Sequence, residues 1–147
     1  MNKSYFEQFY DNYTHMMLFA NSNKLKLENM LQELDEIKKA CSEILETSEV
    51  KFTLNSLEGL KSRLNEMQEE IKAILYQYRE INEMLHQVDV MISDYYEMEI
   101  EIDLYELNGI EKDLLGVKDE NDKFQVLMQK TEISTQKINE KINELKH

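Results

Sequence analysis

The sequence predicts an all-α protein, an elongated coiled coil or helical bundle of two to four helices. Three observations carry this. The 147-residue chain has no proline and only 3 glycines. Proline costs about 3 kcal/mol and glycine about 1 kcal/mol inside a helix, so long helices can run unbroken. Hydrophobic residues, 41% of the chain, recur at alternating spacings of three and four, which sets them on one helix face. Charged residues, 32% of the chain, fill the positions between, as a solvated outer face requires. One elongated unit over residues 1–147 is expected.

Residues 1–20 make an aromatic-rich first helix. Phe6, Phe9, Tyr13 and Met16 or Met17 share a face, with Tyr5, Tyr10, Leu18 and Phe19 around them. Packing on the rest of the chain and docking on a partner are both open, since aromatics and methionine are enriched in interface cores as well. Asn21, Ser22 and Asn23 then make a break or an N-cap. A second helix covers 24–46, where Met30, Leu34, Ile37, Cys41 and Ile44 follow a 4-3-4-3 spacing beside Leu27, Leu31 and Leu45. The single cysteine, Cys41, sits in this seam and reads as a small buried core residue rather than a nucleophile or ligand. Thr47 and Ser48, and the run from Thr53 to Gly59, place a turn or kink at about 47–55. Asn55 or Ser56 is the expected cap of the next helix.

The third helix, 55–106, carries the strongest pattern. Leu57, Leu60, Leu64, Met67, Ile71, Ile74, Tyr78, Ile81, Leu85, Val88, Ile92 and Tyr95 alternate spacings of three and four without exception, over about 57 Å at 1.5 Å per residue. A sustained 3.5-residue period calls for left-handed supercoiling against another helix. Register then slips by one residue. A second seam, in a helix over 108–146, follows from Leu107: Ile110, Leu114, Val117, Asn121, Phe124, Met128, Thr131, Thr135, Ile138, Ile142 and Leu145. Polar Asn121, Thr131 and Thr135 lower seam stability and set register or partner choice. Between the seams, Tyr96–Leu104 alternates apolar and acidic residues, a strand pattern, followed by an Asn108-Gly109 turn signal. Helical flanks favour a helix with a skip residue over a short strand. Gly109 and Gly116 leave room for a bend or reversal at 107–118. The residues expected to face partner helices are Leu64, Ile71, Ile74, Tyr78, Ile81, Leu85 and Ile92 in the first seam, and Phe124, Met128, Ile138 and Ile142 in the second.

The formal charge is −13, with 30 acidic against 17 basic residues. Such a surface repels phosphate backbones and anionic headgroups, so nucleic acid and membrane surfaces are poor ligands. One cysteine allows no intramolecular disulfide framework and suits a reducing compartment. Neither a signal peptide nor an 18-residue apolar run is visible, so a cytoplasmic protein without membrane insertion is expected. No catalytic residue, metal site or cofactor is expected. His15, His86 and His147 lack ligand spacing with cysteines or carboxylates, and Glu83, His86 and Asp89 read as exposed polar packing. The ladder Asp94, Glu97 and Glu101 lacks the rigid loop that would converge its oxygens.

Two stretches carry a resemblance: Tyr78 to Asp89, YREINEMLHQVD, and Lys123 to Lys130, KFQVLMQK. In these the chain resembles the dysbindin family over roughly 55–145. Glu132, Ile133 and Ser134 depart from it, standing where the family is more basic. The resemblance implies a coiled-coil subunit of the complex for biogenesis of lysosome-related organelles, acting in endosomal sorting without catalytic residues. The expected function is therefore a non-enzymatic structural subunit or adaptor of a hetero-oligomeric helical complex. A second reading is a bacterial helical hairpin partnered in a type VII-like secretion system. Size, acidity and the Tyr76–Glu80 spacing favour it, whereas the lack of tryptophan removes the Trp-x-Gly turn of its best-known members. A self-associating spacer is the third.

Overall fold

A computed structural model of the chain describes residues 5–45, 49–97 and 104–146. Among them it has three helices and no strand: α1 (Tyr5–Leu45), α2 (Val50–Glu97) and α3 (Leu104–Lys146). They pack against one another, so the protein is an all-α helical bundle. Among the described residues, no helix is long and apolar enough to cross a membrane.

The two helices expected at 1–20 and 24–46 are one. The Ser22 hydroxyl donates to the Phe19 carbonyl at 2.8 Å, and the Asn23 amide donates to the same oxygen at 3.1 Å. Both side chains bond back onto their own helix instead of capping a new one. The core line also passes straight through the polar triplet. Phe9, Met16, Ala20, Asn23, Leu27, Met30, Leu34 and Ile37 are all buried, at spacings that continue the seam read further along. Asn23 is therefore a seam residue and not punctuation.

The start of α2 is likewise earlier than expected. Residues 46–48 lie outside the described residues, but 50–55 are helical, so Asn55 and Ser56 lie inside α2 and cap nothing. The Glu49 carbonyl accepts from the Thr53 amide at 3.0 Å and from the Thr53 hydroxyl at 2.9 Å. That satisfies a hydroxyl which is otherwise buried, at 4% exposure. Of the helix expected to run to 106, α2 is described as far as Glu97, and the described residues resume with α3 at Leu104. Of the stretch 96–104, where helix and strand readings compete, residues 98–103 lie outside the described residues, as do the side chains of Tyr95 and Leu107.

No reversal occurs at 107–118, because α3 runs through Gly109 and Gly116. A Cβ added at either would meet nothing within 4 Å, so neither glycine is demanded by close packing. Gly116→Ala is expected to stabilise the fold by about 1 kcal/mol through helix propensity alone. Urea denaturation checks this, and a loss of stability would mean that position 116 serves a contact.

Contacts divide the chain into two compact units, Met1–Leu25 with Leu75–Lys123, and Lys26–Ile74 with Phe124–His147. Each takes one stretch of every helix. In the first unit, Phe9, Met16 and Ala20 of α1 join Tyr78, Ile81, Leu85, Val88 and Ile92 of α2 and Ile110, Leu114 and Val117 of α3 in the core. The Asn12 amide donates to Gln87 Oε1 at 3.4 Å, and Phe19 meets Tyr78 edge to face, so α1 and α2 run antiparallel there. Lys118 pairs with Asp89 at 3.3 Å between α3 and α2. The Tyr13 hydroxyl donates to Asp113 between α1 and α3. Burial, then that bond to a carboxylate, pushes the Tyr13 phenol up to about 12.

In the second unit, Leu27, Met30, Leu34 and Ile37 pack with Leu57, Leu64, Met67, Ile71 and Ile74 and with Phe124, Leu127, Ile138 and Ile142. Arg63 pairs with Glu33 across α2 and α1. The Gln68 amide donates to Thr135 Oγ1 at 3.0 Å across α2 and α3. The largely exposed ion pair contributes less than about 1 kcal/mol, and the part-buried hydrogen bond about 0.5–1.5 kcal/mol. Apolar burial, at roughly 25 cal/mol per Å², is what holds each unit.

Candidate functional site

The residues expected to face partner helices are mostly spent inside the chain. Tyr78, Ile81, Leu85 and Ile92 are buried in the first unit; Leu64, Ile71, Ile74, Phe124, Ile138 and Ile142 are buried in the second. Their cover comes from the protein's own helices. Met128 alone departs, being half-buried, while neighbouring Leu127 is 1% exposed. A helix touching two neighbours buries a broad stripe, including positions beside the strict seam. Leu127, midway between buried Phe124 and Thr131, falls in that wider stripe.

Glu120 belongs to the same stripe, and sequence reading passed it over because it is charged. Its position, three after Val117 and four before Phe124, was the available signal. It is buried at 9% exposure and accepts a 2.8 Å hydrogen bond from the Tyr78 hydroxyl. Burial raises the Glu120 carboxyl above its ordinary range; the Tyr78 bond and the charges of Lys24 and Lys123 pull the other way but do not prevail. The same burial, then the bond to Glu120, holds the Tyr78 phenol above its ordinary value. On its other side Tyr78 takes the Phe19 ring edge to face, with centroids 4.7 Å apart at 82°. One layer of the first unit therefore ties all three helices through a single side chain. A polar pair placed in an apolar seam is satisfied in one register only, so it selects that register.

With the seams covered, apolar surface left outside becomes informative. In the first unit, Leu18 and Leu25 are 66% and 64% exposed. They lie seven residues apart on α1, within about 20° of one another around the helix. In the second unit, Val126 and Ile133 of α3 repeat that spacing at 47% and 52% exposure. Each pair repeats, on an outward face, the spacing with which helices pack.

The second unit also has a groove of about 360 Å³, lined by Ile37, Lys38, Cys41 and Ser42 of α1, Leu57 of α2, and Ser134, Lys137, Ile138 and Lys141 of α3. Cys41 occupies the seam position four after Ile37, where its small side chain underfills the layer. It is half-buried rather than fully enclosed, and burial pushes its thiol pKa up, the opposite of what activates a nucleophile.

Glu83, His86 and Asp89 are exposed, and Asp89 pairs with Lys118. In the ladder of Asp94, Glu97 and Glu101, the side chains of the last two lie outside the described residues. Among the described residues, no group of three or more His, Cys, Asp or Glu is placed to hold a metal. No family model, no curated protein and no solved structure matches the chain.

Proposed function

We propose that the protein is a non-enzymatic structural subunit or adaptor that docks other helical proteins on its outward faces. The observation that carries this reading is the exposed Leu18 and Leu25 pair, seven residues apart on α1. Two leucines held open to water at that spacing match the apolar contacts of a helix laid alongside. The buried Tyr78–Glu120 layer supports it, because a platform with one register presents its outer face in one geometry. The resemblance to the dysbindin family is compatible with such a role in endosomal sorting.

The test has two steps. Sedimentation equilibrium of the 17.6 kDa chain is expected to give a highly helical monomer, since its seams are covered internally. Site-specific crosslinking in the host through a photoreactive residue at position 22, between the leucines, is then expected to trap a helical protein. The double variant Leu18→Lys and Leu25→Lys is expected to lose that product while keeping its circular dichroism. Unchanged crosslinking by the double variant would overturn the reading. A concentration-dependent homo-oligomer that this variant disperses would favour the self-associating spacer. The trapped protein also separates an endosomal assembly from a secretion partner.

A further inference from the structure

We propose that the groove of the second unit binds a single-chain anionic amphiphile, a fatty carboxylate, with its tail on the apolar floor and its headgroup held by Lys38 and Lys137. The floor is built by Ile37, Leu57 and Ile138, with the small side chains of Cys41 and Ser134 beside them. At about 360 Å³, the space is near the lower end of small-molecule pockets, which run from about 300 to 1,000 Å³. That suits one slender chain better than a ring system or a second helix.

Charge selects the headgroup. Three lysines line the groove and, among the described residues, no carboxylate does, in a protein with 30 acidic and 17 basic residues. Lys141 is engaged by Glu144 at 3.3 Å. Lys38 and Lys137 are exposed and, among the described residues, have no ion-pair partner within 4.0 Å. The surrounding unit is also the less acidic one, with 11 basic against 14 acidic residues, compared with 6 and 16 in the first unit. An apolar slot rimmed by two uncompensated ammonium groups is complementary to an alkyl chain ending in a carboxylate. A cationic amphiphile would meet repulsion at the same rim.

Isothermal titration of the full chain with sodium dodecanoate, below its micelle concentration, tests this. Dodecanol and dodecyltrimethylammonium serve as neutral and cationic comparisons, and helicity is followed throughout. One dodecanoate per chain is expected, bound at least tenfold more tightly than either comparison. The double variant Lys38→Gln and Lys137→Gln is expected to bind about tenfold more weakly. Both positions are exposed, so the variant keeps its fold. Cys41→Phe, which fills the floor, is expected to abolish binding. Bound dodecanoate is also expected to slow N-ethylmaleimide labelling of Cys41, the chain's one thiol. Equal affinity for dodecanol, or dodecanoate binding that ignores the lysine variant, overturns the proposal. So does the absence of dodecanoate binding.

Discussion

Phe124→Ala is expected to destabilise the protein by about 3–5 kcal/mol, the range for emptying an aromatic core position. Phe124 is 0% exposed and stands among the other buried side chains of the second unit. Removing the ring forfeits its transfer free energy and its dispersion contacts, and three helices packed on one another cannot close fully over the gap. Urea denaturation followed by circular dichroism measures the shift in midpoint. Stability is then read with the slope held constant. A loss below about 1 kcal/mol would mean that the second unit lacks a fixed, water-free interior at this layer. Met128→Ala is the internal comparison. That side chain is half-buried, so its loss is expected to be the smaller of the two.

Tyr78→Phe is expected to cost about 1–3 kcal/mol at neutral pH and distinctly less in acid. The substitution keeps the ring that meets Phe19 and removes only the hydroxyl that donates to Glu120. A buried carboxylate is then left without that donor, which is the costly half of a broken polar pair. The sign of the pH dependence follows from Glu120. Its folded carboxyl titrates above the ordinary value, chiefly through burial. The native state therefore holds the proton more tightly than the unfolded chain, and stability falls as pH rises through that interval. Below the ordinary carboxylate value the penalty is absent; above the raised folded value it is present in full. Tyr78→Phe removes an interaction that lowers this pKa, so it widens the interval. Glu120→Gln should act in the opposite direction. It retains an acceptor for Tyr78 and is expected to stabilise the protein at neutral pH by about 1 kcal/mol, with no gain in acid. Denaturation of the three proteins at neutral and acid pH checks both signs. A Tyr78→Phe deficit that does not vary with pH would show that the lost hydroxyl acts independently of the carboxylate.

The α2 seam was read residue by residue, and Leu64, Ile71, Tyr78 and Leu85 lie in the core where their spacing put them. Periodicity is a property of one chain in one helix, so no knowledge of a neighbour is required to see it. The helix ends were read less well. Asn21 to Asn23 resemble a cap, and Thr53 to Ser56 resemble a turn, because these side chains compete for backbone hydrogen bonds. Which backbone group they bond to is a local choice that packing decides. Here Asn23 and Thr53 are both drawn into the buried stripe.

What the seams pack against was beyond periodicity altogether. An apolar stripe states that a helix will be covered and is silent on whether the cover comes from the same chain. Only the tertiary structure shows α1, α2 and α3 covering one another, which turns the expected partner surface into an interior and leaves Leu18 and Leu25 outside. Glu120 was hidden for a related reason. A carboxylate in a sequence looks solvated, and it becomes buried only when another helix delivers a donor such as Tyr78 to its oxygen. The basic-rimmed groove arises likewise, from lysines on two helices that are about a hundred residues apart in the chain. The sequence by itself determined the helicity of the described residues and the identity of most core side chains, because these follow from local geometry and burial preference. The helix pairing, the register and the surfaces left open were decided by tertiary structure, since each depends on which distant side chains meet.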